Sequence, residues 1–181
     1  MHPSRVQKAL LAFFALGPLL GFSQIGGDRI YGFLNLASAA RVAGQAGFVT
    51  ANTYNDVNYG FYNPALLRED MHGMLSSNLG MLPAGIRLGE AVYAHHFDKA
   101  GTFSFGFKYL NYGDFLLTNQ TAQILGTFTA QEGAFQVGYG YILDTNWSFG
   151  ANLKIINAAY ETYTSWGWAT DLSVVYHIPE R

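Results

Sequence analysis

The chain has 181 residues, ten Lys and Arg against twelve Asp and Glu, a formal net charge of -2 and no cysteine. Without a basic stripe it lacks the footprint of a nucleic-acid binder. Without thiols it has no Cys-ligated zinc, thiolate nucleophile or Cys-linked lipid anchor. Half of the residues (50%) are hydrophobic and 16% aromatic, yet mean hydropathy is only +0.09, so apolar and polar residues interleave instead of forming blocks. Charged residues reach only 12%, low for a water-facing surface.

In chain order, residues 1–23 read as a signal peptide. Arg5 and Lys8 give a positive start, Ala9 to Phe22 an apolar core broken by Gly17 and Pro18, and Gly21-Phe22-Ser23 small residues before a cut at Gln24. Cutting after Gln24, or retention as a short anchor, are the alternatives. The run falls short of the ~20 residues a helical span requires, and no later stretch could form one.

Residues 24–72 read as a hatch or plug. Ile25-Gly26-Gly27-Asp28-Arg29 is a flexible entry, and Tyr31 to Ala43 can hold a short helix with a small-residue face. Asn63-Pro64-Ala65 is a turn, because a residue before proline avoids helix and an Asn side chain caps the turn that follows. It is either the hatch-ending turn, which is preferred, or a ligand gate.

Residues 73–181 carry the dominant signal. Phe103, Phe105, Phe107 and Tyr109 alternate with Ser104, Gly106 and Lys108, and Phe149, Leu153 and Ile155 alternate with Gly150, Asn152 and Lys154. Period-2 patterning predicts strands with one apolar and one polar face, at 74–81, 89–97, 102–115, 133–143, 147–160 and 166–177. Soluble strands average about 5–6 residues, whereas crossing a bilayer takes roughly 9–11. The expected fold is therefore all-β, the N-terminal part of an antiparallel outer-membrane β-barrel with about six strands and an N-terminal hatch. Tight joins at Asp98-Lys99-Ala100-Gly101 and Asp144-Thr145-Asn146 would be periplasmic, and a wide join at 116–132 would be a surface loop. Phe103, Tyr141, Trp147 and Tyr176 would form one aromatic girdle; Tyr109, Tyr112, Tyr160, Tyr163, Trp166 and Trp168 the other. Six strands are too few to close a barrel when at least 8 are usual. The chain would belong to a longer barrel, or oligomerise, or hold more strands than counted.

No catalytic, cofactor or metal site is expected. His95 and His96 are adjacent on a strand and face opposite sides, so they cannot share one metal without a bulge. Ser104, Asp171, Ser173 and His177 share a polar phase, but nothing sets a nucleophile beside a base. Lys108, Lys154 and Asp171 are candidate lumen contacts, each needing a partner because an unpaired buried charge is costly.

Gly26 to Leu36, Ser38-Ala39-Ala40-Arg41-Val42-Ala43, Asp56-Val57-Asn58 and Tyr62-Asn63-Pro64-Ala65-Leu66-Leu67 together resemble the N-terminal region of the PorQ family. So do Tyr93-Ala94-His95-His96-Phe97-Asp98-Lys99 and Lys108-Tyr109-Leu110-Asn111-Tyr112-Gly113. More distantly, Ala-Arg followed by Asn-Pro-Ala is similar to PorV and the FadL-type fatty acid channels. The resemblance implies an outer-membrane component of the type IX secretion system of Bacteroidota, with a barrel of about fourteen strands and a luminal hatch. It further implies a non-enzymatic scaffold in an attachment complex with PorU, PorV and PorZ. The runner-up expectation is a FadL-like, hatch-gated channel for hydrophobic small molecules; an outer-membrane hydrolase is the weakest of the three.

Overall fold

The structure is a computed structural model and describes residues 31–49 and 54–178. The expected signal peptide and the entry segment 25–29 lie outside the described residues. Six strands, β1 (Leu75–Met81), β2 (Arg87–Phe97), β3 (Gly101–Thr118), β4 (Ile124–Ile142), β5 (Trp147–Tyr160) and β6 (Tyr163–Tyr176), make one antiparallel sheet in sequential order. β1 does not pair with β6, so the sheet is open.

Register turns the alternation into two faces. Tyr93, Phe105, Val137 and Leu153 lie side by side in one row, and Phe107, Phe135, Ile155 and Trp168 in another. These side chains are solvent-exposed; Leu79 is 90% exposed, Leu172 86% and Trp168 75%. The opposite face carries Glu90, Ser104, Lys108, Gln136, Asn152 and Lys154, all buried. A water-soluble domain distributes these classes the other way round.

Residues 31–49 and 54–72 contain no strand. They form a 3-10 turn at Gly32–Asn35, helix α1 (Ala40–Gly44), helix α2 (Tyr59–Tyr62) and 3-10 turns at Pro64–Leu66 and Glu69–Met71. The helix expected over Tyr31 to Ala43 is thus broken into two short pieces, with Leu36 and Ala39 extended between them. Phe33 packs with Leu88, Leu110, Ala134 and Ile156; Phe61, Leu67 and Met71 pack with Val92 and Ala94; Tyr59, Ala65 and Leu66 pack with Val175. The face that meets this segment keeps the Gly, Ser, Asn and Lys of the alternation, with Leu88, Val92, Leu110, Ile156 and Val175 among them. It has apolar patches wherever this segment rests on it.

The expected wide join at 116–132 is corrected. β3 and β4 continue past their neighbours as a hairpin, pairing Asp114 with Thr129 through Thr118 with Ile124. Phe115 stacks on Phe128 at 5.3 Å between ring centroids. The pairing skips from Asn111–Gln131 to Asp114–Thr129, so one extra residue bulges from β3. Gly113, at φ 83°, supplies the left-handed backbone there. The bulge inverts the alternation of β3, and in β4 Thr127, Thr129 and Gln131 take the phase that Phe135 and Val137 hold further on, so apolar and polar residues exchange phase along the hairpin. All five joins are short, so expected long and short connections do not alternate; strand length varies instead, β3 and β4 having 18 and 19 residues against 7 in β1.

Candidate functional site

The candidate site is the inward face of the sheet together with the segment seated on it. Lys108 of β3 and Glu90 of β2 are direct cross-strand partners, and their Nζ and Oε2 atoms lie 3.2 Å apart. Both side chains are wholly removed from solvent. Lys108 Nζ also donates to the Leu36 carbonyl at 2.5 Å, the Leu34 carbonyl at 3.3 Å and the Tyr62 hydroxyl at 3.0 Å. The Tyr62 hydroxyl donates to Glu90 Oε2 at 3.0 Å. Its burial, reinforced by the Glu90 charge, holds the phenol proton well above its usual pKa. The ammonium further lies 5.0 Å from the Phe61 ring centre and 4.8 Å from that of Tyr62. One buried charge pair thus clamps two separate stretches of the N-terminal segment, Leu34–Leu36 and Phe61–Tyr62.

A second polar set lies across β4, β5 and β6. Lys154 Nζ is 2.7 Å from Asp171 Oδ2 and 5.1 Å from the Phe61 ring centre. Asn152, directly opposite Asp171, donates to its carboxylate at 3.3 Å and to the Gly60 carbonyl at 3.2 Å. Gln136 donates to the same carbonyl at 3.1 Å. These bonds satisfy the C=O of a buried helical turn, which otherwise costs the desolvation of an unpaired group. Lys108, Lys154 and Asp171 therefore each have a partner. Their phase was readable from the sequence, whereas the roles of Glu90, Tyr62, Gln136 and Asn152 were not singled out.

The Asn63-Pro64-Ala65 turn is bedded in glycine. Pro at the first position and the Asn63 side chain, accepting from the Ala65 N–H at 3.2 Å, start the 3-10 turn. The same N–H donates to Ser173 Oγ of β6 at 3.0 Å. A Cβ on Gly140 would come within 2.6 Å of the Pro64 carbonyl oxygen, and one on Gly150 would strike the Pro64–Ala65 peptide itself. Gly106 and Gly138 stand in the same inward phase. A Cβ on Gly106 would meet the Phe61 ring at 2.9 Å, and one on Gly138 would meet Asn152 Oδ1 at 2.6 Å. The glycines give the sheet a shallow bed into which the turn and ring descend.

Of the remaining sequence candidates, His95, His96 and His177 lie apart from this network. The His95 ring lies 4.5 Å from that of His72, while His96 Nδ1 is 2.9 Å from Thr102 Oγ1. Ser173 accepts from Ala65, Asp171 is held by Lys154, and His177 lies 3.3 Å from the Arg68 guanidinium. Ser104 Oγ is buried without a hydrogen-bond partner among the described residues.

No family model, curated protein or solved structure matches the chain.

Proposed function

We propose that the chain forms part of the wall of an outer-membrane β-barrel, with residues 31–72 as its luminal hatch. Its role is that of a non-enzymatic scaffold of the type IX, PorQ-like kind, supporting secretion and surface anchoring of cargo. The observation that carries this reading is the inversion of the sheet: a continuous Phe, Tyr, Trp, Leu and Val face open to the surroundings, and charges buried on the other side. Exposing so much apolar area to water is unfavourable at about 25 cal/mol per Å², while acyl chains accept it without cost. Strand length supports the same solvent, since β2 to β6 each have 11 or more residues. The proposal requires further strands against the free edges of β1 and β6, because unpaired backbone groups in hydrocarbon cost several kcal/mol each.

The scaffold reading gives the projecting β3–β4 hairpin the task of meeting partners, here PorU-, PorV- and PorZ-like proteins. Its outer part exposes Phe115, Leu116, Ile124 and Leu125 beyond the rest of the sheet. Extraction of outer membranes in mild detergent, followed by capture of the chain, tests this. The scaffold reading expects those three partners to be retained, and to be lost when residues 115–127 are replaced by a short Asn-Gly turn. A bound fatty acid with no partner protein would favour the FadL-like channel instead.

A further inference from the structure

The N-terminal segment enters the sheet through His72. This residue closes the 3-10 turn Glu69–Met71, its N–H donating to the Glu69 carbonyl at 2.9 Å. Gly73 follows in the left-handed region at φ 75°, and its N–H donates to the Ala94 carbonyl of β2 at 2.9 Å. Ala94 donates in turn to the Met74 carbonyl at 3.0 Å. Two residues further along β2, the same edge presents the N–H of His96, and counting back from the Leu75–Tyr93 pair sets residue 72 opposite it. The ring of His72 receives this N–H where a strand carbonyl would stand: His96 N donates to His72 Nδ1 at 3.1 Å. The same ring lies 4.5 Å from that of His95, between centroids.

A backbone N–H can only donate, so His72 Nδ1 must hold a lone pair and the ring proton must sit on Nε2. Protonation puts an N–H on Nδ1 as well, and two donors then face each other. A second imidazolium at His95 would add repulsion. The titratable and charged groups around His72 are Arg68, Glu69 and Asp70 on its own turn, and Tyr93, His95 and His96 on β2. Asp98 and Lys99 stand in the join after β2, and Asp56, paired with Arg41, in the loop that Asn55 ties to Asp70. None of them forms an ion pair with His72 among the described residues. His95 Nδ1 lies 3.4 Å from the Tyr93 hydroxyl and His96 Nδ1 2.9 Å from Thr102 Oγ1. Of the three imidazoles, His72 is the one whose nitrogen holds a backbone amide of the sheet.

We propose that His72 is an acid-sensitive latch: as a neutral imidazole it ties the N-terminal segment to β2, and on protonation it lets residues 72–74 part from that strand. Gly73 then becomes a hinge between the segment and β1. The inference goes beyond the scaffold reading and does not depend on it, because the latch is the same in lipid, detergent or water.

The test is amide hydrogen exchange, read by NMR on the full chain in detergent micelles between about pH 8 and pH 5, the interval in which imidazoles change charge. Each rate is divided by the intrinsic rate at that pH. Protection of the His96 amide is expected to fall about fivefold on acidification, the equivalent of one hydrogen bond, while that of Val137, inside the sheet on β4, stays constant. The fall should follow the titration of the His72 ring, read from its own Cε1–Hε1 signal in the unmodified protein. His72→Phe keeps a ring against His95 without an acceptor, so its His96 amide should exchange fast at every pH. His95→Phe should keep the fall. A flat profile in the unmodified protein, an equal fall at Val137, a fall that follows another histidine, or one that survives His72→Phe or is lost in His95→Phe, overturns the latch.

Discussion

Glu90 and Lys108 face each other across β2 and β3 at 3.2 Å, each with a side chain fully out of solvent. A buried ion pair is seldom a net source of stability, because desolvating both charges offsets their attraction. Its effect here is specificity: the ammonium also needs the carbonyls of Leu34 and Leu36, which only this placement of the N-terminal segment provides.

Removing one partner should therefore be worse than removing both. Lys108→Met leaves a carboxylate buried without its cation and is expected to cost about 3–5 kcal/mol. Adding Glu90→Gln to it should recover a substantial part of that loss. Urea titration of the detergent-solubilised protein measures the cycle. Additive losses would mean that the two groups act independently.

The glycine bed predicts a more local failure. Gly150→Leu drives a side chain into the Pro64–Ala65 peptide and should displace residues 63–67 while leaving the sheet paired. Limited proteolysis should then cut between 54 and 72 at least tenfold faster, with no change in far-ultraviolet strand signal, the factor that corresponds to about 1.4 kcal/mol of lost seating. Asn63→Ala removes only the cap and should cost about 0.5–2 kcal/mol.

Tyr62 predicts the alkaline behaviour. Its folded pKa is raised, first by burial and then by Glu90, above an unfolded value near 10. The unfolded chain therefore loses the phenol proton before the folded chain does. Stability associated with this group is fully present below about pH 10 and declines as pH rises beyond it. Denaturant titrations from neutral pH into that range should show a decline that Tyr62→Phe reduces. An unchanged slope in the variant would remove Tyr62 from the account.

Legibility varied with how local each feature is. β5 runs from Trp147 to Tyr160 as its unbroken alternation predicts. The outer half of the β3–β4 hairpin was not legible, because the bulge near Tyr112 and Gly113 inverts the phase of β3 and because Thr127, Thr129 and Gln131 of β4 break the apolar phase of Phe135 and Val137. Glu90 was within reach: a tight join at Asp98 to Ala100 pairs Phe97 with Gly101, and counting back sets Glu90 against Lys108. The glycines of the inward phase were visible as composition, but nothing nearby in sequence says that Pro64 and Ala65 descend onto Gly140 and Gly150. That contact joins residues more than seventy positions apart and depends on the whole sheet. Asn63-Pro64-Ala65 was thus readable as a turn and unreadable as a seated one.

In the membrane reading proposed above, the apolar face of the sheet meets hydrocarbon. The chain has no cysteine, so single thiols introduced at Phe135, Val137, Leu153 and Ile155 on the outward face, and at Ser148 and Ala158 on the inward face, each carry one spin label. In reconstituted vesicles, outward labels should collide freely with oxygen and scarcely with a water-soluble nickel chelate, while inward labels should be shielded from oxygen. Outward labels that collide readily with the nickel chelate would show that this face meets water, and would contradict the account.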